Sequence, residues 1–206
     1  MKQLRNYINI RRKPTTIEAT DATIQQIVKD ELDKFGHDAD LNHIDVSEVT
    51  KMDNLFHCYD GANFLGKTYS DLNPDISKWD VRNVTHMNLT FYYCEKFNQD
   101  LSKWNTENVQ YMNSMFDGCT VFNSDISGWD VRKVEYMGGM FRDCHNFNCD
   151  IGGWQIDSLI YTYAMFENCR SFNQDLSDWK SSKVKNSLDM FKKCPIKKEF
   201  KPSFAQ

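Results

Sequence analysis

Apolar positions recur along this chain with one period. Trp79, Trp104, Trp129, Trp154 and Trp179 stand 25 residues apart, and Cys94, Cys119, Cys144, Cys169 and Cys194 keep the same spacing. So do Phe91, Phe116, Phe141, Phe166 and Phe191, and a second series runs through Phe97, Phe122, Phe147 and Phe172. Self-similarity at a fixed period of this size marks a chain built from stacked repeats. In the unit from Leu101 to Phe122 the inward residues are Leu101, Trp104, Thr106, Val109, Met112, Met115, Phe116, Cys119 and Phe122. Alternation at Trp104 and Thr106 predicts a short strand with one face inward. From Val109 onward the spacing is close to every third residue, which predicts a short 3₁₀ or α arm and a tight return. Such a unit cannot bury its apolar face alone. Stacked, equivalent strands would lie ~4.8 Å apart in a parallel sheet.

Units begin at Leu41, Ile76, Leu101, Ile126, Ile151 and Leu176, giving six between residues 41 and 194. The fifth and sixth drift from the pattern, with Thr162 and Ser187 in the first methionine slot. Residues 1–19 read as a polar arm. Within 20–40, Ile24, Ile27, Val28, Leu32 and Phe35 form one helical stripe, with Thr20 or Asp21 to cap it and Gly36 to stop it. This helix is expected to cover the open end of the first unit, because terminal repeats need a cap. The first unit carries ten extra residues, which the pattern places in a loop over 57–73. Residues 195–206 form a basic tail, in which Ile196, Phe200 and Phe204 can fold over the last unit.

The consensus F-N-Q-D-L-S-x-W-x-x-x-x-V-x-x-M-x-x-M-F-x-x-C is carried best by Phe97 to Cys119 and by Phe172 to Cys194. It resembles the leucine-rich repeats, and within them the BspA-like group with 25-residue mycoplasma-type repeats of unknown function. The resemblance covers about four-fifths of the chain. It implies a curved solenoid used for binding, often on microbial surfaces, and no catalytic residues to carry over. The expected fold class is therefore an α/β repeat solenoid. In detail it is a leucine-rich-repeat-like right-handed superhelix with short parallel strands, short helical arms and an N-terminal capping helix.

Charge modifies this picture at the ends. The net charge is −4, yet residues 1–13 hold five basic residues and no acid, and residues 180–206 hold eight lysines against Asp189 and Glu199. An acidic body with basic ends suggests end-to-end self-association or an acidic partner. No apolar core of a secretory signal follows the basic start, and no stretch approaches the length of a membrane span. The expected location is therefore cytoplasmic or virion-associated rather than the cell surface. Five of the seven cysteines share one repeat slot, which reads as a reduced, buried ladder. Cys144, His145 and Cys149 lack a second pair for zinc. The repeated F-N-x-D corners, such as Asn98 with Asp100, lack the dense oxygen ligands of a calcium loop. No cofactor or metal is expected.

Catalysis has no motif here: there is no nucleophile elbow, phosphate loop or HExxH, and the five histidines share no slot. The expected function is a non-catalytic protein- or glycan-binding interaction module. One candidate surface is the outward strand face: His43, Asp45, Lys78, Asp80, Lys103, Asn105, Asp130, Gln155, Asp178 and Lys180. The other is the inserted loop with Tyr59, Phe64, Leu65 and Tyr69. That strand face carries no aromatic row and little positive charge, so nucleic acid is disfavoured as a partner. Two other classes remain: a structural component of a larger assembly such as a phage virion, and a surface adhesin.

Overall fold

A computed structural model describes residues 15–58 and 70–205. The expected α/β repeat solenoid, with its right-handed superhelix of short strands and helical arms, is overturned. Among the described residues there is one α-helix, α1 (Ile24–Phe35), and one sheet, a parallel pair of two-residue strands, β1 (Ile17–Glu18) and β2 (Ile44–Asp45). Two single-turn 3₁₀ segments follow the last unit, Lys198–Phe200 and Ser203–Ala205. Elsewhere the 25-residue units consist of turns, joined by isolated parallel bridges that link Lys51, His86, Tyr111, Tyr136, Tyr161 and Asn186 in succession.

The reason lies in backbone conformation that hydrophobic spacing does not encode. The L-x-x-W segment closes on itself as a turn, with the Trp104 amide donating to the Leu101 carbonyl at 3.1 Å. In the arm, two slots per unit are left-handed. One holds Asn54, Leu89, Ser114, Gly139, Ala164 and Asp189, and the other Tyr93, Gly118, Asp143, Asn168 and Lys193, all with φ between +49° and +78°. Left-handed residues rule out a continuous helix and a continuous strand alike. Alternate amides therefore serve two ends. Those of Met112, Ser114, Phe116 and Gly118 donate to carbonyls of the next unit at 2.8–3.0 Å, while those of Met115, Asp117 and Cys119 close local turns.

Side chains repeat this division. Phe56, Phe91, Phe116, Phe141, Phe166 and Phe191 stack in one column, with centroids 5.3–5.9 Å apart. Each large ring so buried contributes roughly 1.5–3 kcal/mol. Beside that column, the indole N–H groups of Trp79, Trp104, Trp129, Trp154 and Trp179 donate to the carbonyl that opens the preceding unit, at 3.0–3.2 Å. Four buried thiols, Cys94, Cys119, Cys144 and Cys169, donate likewise to the preceding phenylalanine carbonyl at 2.8–2.9 Å. At the F-N-x-D corner, the Asn73, Asn98, Asn123 and Asn148 side chains accept the amide of the next unit's asparagine at 2.8–3.0 Å.

The two ends differ. Ile17 and Ala19 donate to the His43 and Asp45 carbonyls, so residues 15–19 lie along the first unit. Helix α1 starts at Ile24 behind Thr23, past the expected caps Thr20 and Asp21, and the Asp21 carboxylate instead takes the Thr50 and Lys51 amides at 2.6 and 3.0 Å. It buries Ile24, Val28 and Leu32 but leaves Phe35 56% exposed, so the predicted stripe ends one turn early. At the other end, the Leu176 amide donates to the Phe200 carbonyl. No helix among the described residues is long and apolar enough to cross a membrane.

Candidate functional site

The predicted outward face is a row of turns rather than a sheet surface. Asp45, Asn105 and Asp130 each accept the amide two residues on, as does Asp80. Arg82 and Arg132 close over Asp80 and Asp130. These hydrogen bonds hold the Asp80 and Asp130 carboxyls below the usual range, and the Ser47 contacts do the same for Asp45. Asp178 and Lys180 pair loosely at 3.7 Å, both largely exposed. Lys103 is exposed, and Gln155 borders a shallow dent of about 240 Å³ between Trp129 and Trp154. Four of the candidates, Asp45, Asp80, Asn105 and Asp130, thus have their polar groups engaged in their own turns. The candidate loop residues Tyr59, Phe64, Leu65 and Tyr69 lie outside the described residues.

His43 and Lys78 lie elsewhere, on a cleft of about 950 Å³ between α1, β1 and the first unit. There His43 Nε2 meets Glu31 Oε2 at 2.7 Å, with both side chains 10% exposed, and Lys34 approaches the other Glu31 oxygen at 3.7 Å. Glu31 is thereby tied to both His43 and Lys34. It is also bordered by Thr15, where the described residues begin.

A different surface combines a half-buried aromatic stack with a groove lined by polar groups. At the bridge positions, His86, Tyr111, Tyr136 and Tyr161 stack with centroids 4.5, 5.1 and 5.3 Å apart and planes within 22°. All four are half-buried, so their edges and hydroxyls form an outward strip. Burial, then Glu135 and the adjoining tyrosines, pushes the Tyr136 phenol above its ordinary value. Two residues further on runs a polar ladder. Asp53 accepts from the Asn88 amide, Asn88 from the Asn113 amide and Asn113 from the Gly138 amide, at 2.9–3.0 Å.

At Gly138 the ladder loses its side chain, and a groove of about 420 Å³ opens. Gly138 and Gly139 form its floor, and Asn113, Tyr136, Tyr161, Tyr163 and Arg142 stand around it. A β-carbon on Gly138 would lie 3.3 Å from Asn113 Oδ1, a tight contact that a shift of a few tenths of an ångström in that side chain relieves. Tyr163 is 41% exposed at the rim. Arg142 is held from beneath by Asp117, Nη2 to Oδ2 at 2.5 Å, and Asp117 is fully buried with its Oδ1 unpartnered among the described residues. Burial raises the Asp117 carboxyl to about 6 in spite of Arg142, whose own pKa the pairing raises further. The groove thus offers aromatic edges, phenols, an amide and a guanidinium whose charge is matched below.

The periodic reading centred on Trp, Phe and Cys passed over this strip. Its signal was in the sequence: Tyr111, Tyr136 and Tyr161 keep the 25-residue period, and Gly138 interrupts a slot held by Asn88 and Asn113. No group of three or more histidine, cysteine or acidic side chains among the described residues is placed to hold a metal ion.

Among curated proteins, none matches the chain. The model of one repeat-containing family matches residues 23–135, 59–171 and 102–203, overlapping windows that span most of the sequence. The chain belongs to that family, described as "Mycoplasma protein of unknown function, DUF285".

Proposed function

We propose that this protein is a non-catalytic binding module, and that it holds a neutral, polyhydroxylated chain such as a glycan along the tyrosine strip, with the Gly138–Gly139 groove as the anchoring subsite. The observation that carries this reading is the half-buried tyrosine stack, edges outward, running into a groove whose Arg142 is neutralised from beneath. Ligand sites of this kind pair apolar and aromatic walls with a few fixed polar groups. Successive tyrosines advance by 5.1 and 5.3 Å, so a ligand of similar repeat can make the same contact from unit to unit. Tyrosine also supplies contact area with little side-chain entropy to lose. The likeness to the BspA-like repeat proteins, used for binding on microbial surfaces, supports the same class of role. The outward turns and the inserted loop remain accessory surfaces in this reading.

The test is a titration of the isotope-labelled chain with soluble β-linked hexasaccharides of glucose and of N-acetylglucosamine, followed by NMR. Saturable shifts confined to Asn113, Tyr136, Gly138, Tyr161 and Tyr163 are expected. Gly138→Asn should remove them while leaving the melting temperature nearly unchanged, because asparagine continues the Asn88–Asn113 ladder while it fills the groove. Tyr136→Ala should weaken binding about tenfold or more. Shifts at these residues with an extended peptide and none with either sugar would replace the glycan by a protein ligand.

A further inference from the structure

The last unit presents a row of backbone donors that the chain itself does not use. In the fifth unit, the amides of Thr162, Ala164, Phe166 and Asn168 donate to the carbonyls of Asn186, Leu188, Met190 and Lys192 at 2.8–3.0 Å. The equivalent amides of the sixth unit belong to Ser187, Asp189, Phe191 and Lys193, and among the described residues they meet no acceptor. The tail touches this row, with Phe204 at Ser187 and Lys201 over Phe191, but takes none of the four amides. Phe200 takes the Leu176 amide and Phe204 takes the Ser187 hydroxyl, while Leu188 stays 66% exposed. Unpaired donors at a regular spacing form a template for another extended chain.

Charge selects the occupant. Lys201 Nζ stands over the Phe191 ring at 5.4 Å, Lys197 over Phe200 at 4.8 Å, and Lys193 is exposed beside them. Asp189, one of the two acids at this end, is already tied to Lys192 at 3.3 Å. Lysines along an edge repel another basic edge and favour carboxylates. A second copy of the chain would have to offer the carbonyls of its own first unit. In register these are the carbonyls of Lys51, Asp53, Leu55 and His57, and the exposed Lys51 there would meet the lysines of this end. We propose that the sixth unit's backbone edge docks an extended, acidic segment of a partner protein, which supplies carbonyls to the four amides and carboxylates to Lys193, Lys197 and Lys201.

The probe is a capped peptide of about eight alternating glutamates and valines, long enough to span the row. The readout is hydrogen exchange, residue by residue, on the full chain. With the peptide at saturation, the four amides should slow about tenfold or more, and added salt should reverse the effect. The double variant Lys193→Glu, Lys201→Glu should abolish this protection with the melting temperature unchanged. Unaltered exchange at the four amides with saturating peptide would overturn the proposal. Equal protection by a lysine–valine peptide would overturn the charge argument. Protection that grows with chain concentration in the absence of peptide would make a second copy the occupant instead.

Discussion

Single residues here carry two duties, packing within a unit and bonding to the next. Trp129 fills the core at 3% exposure and donates its indole N–H to the Leu101 carbonyl at 3.0 Å. Trp129→Phe keeps most of the ring and leaves that buried carbonyl without its donor, so a loss of about 1–3 kcal/mol is expected. Trp129→Ala adds a cavity and should lose about 3–5 kcal/mol. Urea unfolding of the two variants separates the hydrogen bond from the packing; equal losses would mean that the bond contributes nothing. Gly118 tests the backbone in the same way. Its φ is +78°, and a β-carbon there would sit 2.9 Å from the Tyr93 ring and 3.2 Å from Tyr93 Cα. Gly118→Ala should therefore destabilise by roughly 1–3 kcal/mol through strain and overlap together, whereas Gly128→Ala, whose β-carbon meets nothing within 4 Å, should be close to neutral.

At the scale of the element, periodicity fixed which side chains face inward but not the path of the backbone between them. The slots of Trp, Phe, Cys and Met proved buried where expected, except Cys194 and Ser187 in the last unit, which are only partly so. The strand and helical arm drawn through them did not form, because Leu89, Ser114 and Ala164 occupy left-handed conformations that their side chains do not advertise. The candidate site was legible only in part, since a stacked tyrosine row follows from the period, while the groove needs the coordinates around Gly138. The pairing of neighbouring units through Asp117 and Arg142 is another property of placement. Burial holds the Asp117 carboxyl up to about 6, against 3.8 for an unperturbed one. Between these values the folded chain binds a proton that the unfolded chain has released, so stability falls as pH rises through the window. About 2–3 kcal/mol is expected from this group. The turn carboxylates Asp45, Asp80 and Asp130 are shifted the other way and act below that window, where their contribution is lost on acidification. Denaturation at about pH 4.5 and pH 7 should show Asp117→Asn gaining on the wild type at the higher pH, and parallel profiles would rule out the buried carboxyl as the source.

Across the whole molecule, each unit leans on two neighbours except at the ends, so resistance to opening should be graded along the chain. The thiols are built-in reporters of that gradient. Cys94, Cys119 and Cys144 are fully buried, bonded to the preceding unit and pushed well above the ordinary thiol range by desolvation. Cys194 is only partly buried, with a longer bond of 3.6 Å to the Phe172 carbonyl and a pKa raised to about 11. Cys149 lies off the ladder and is half-exposed. Thiolate is the reactive form, so alkylation of the buried set requires the chain to open. Labelling of the native protein, followed peptide by peptide with mass spectrometry, should therefore mark Cys149 first and Cys194 next. Cys169, Cys144 and Cys119 should follow in that order, as opening spreads inward from a last unit stacked on one side alone. An acidic segment seated on the edge of the sixth unit would supply the missing neighbour, and should slow Cys194 and Cys169 while leaving Cys149 unchanged. A single common rate for the ladder thiols would instead mean that the six units open as one, and the free edge would then cost the chain nothing in local stability.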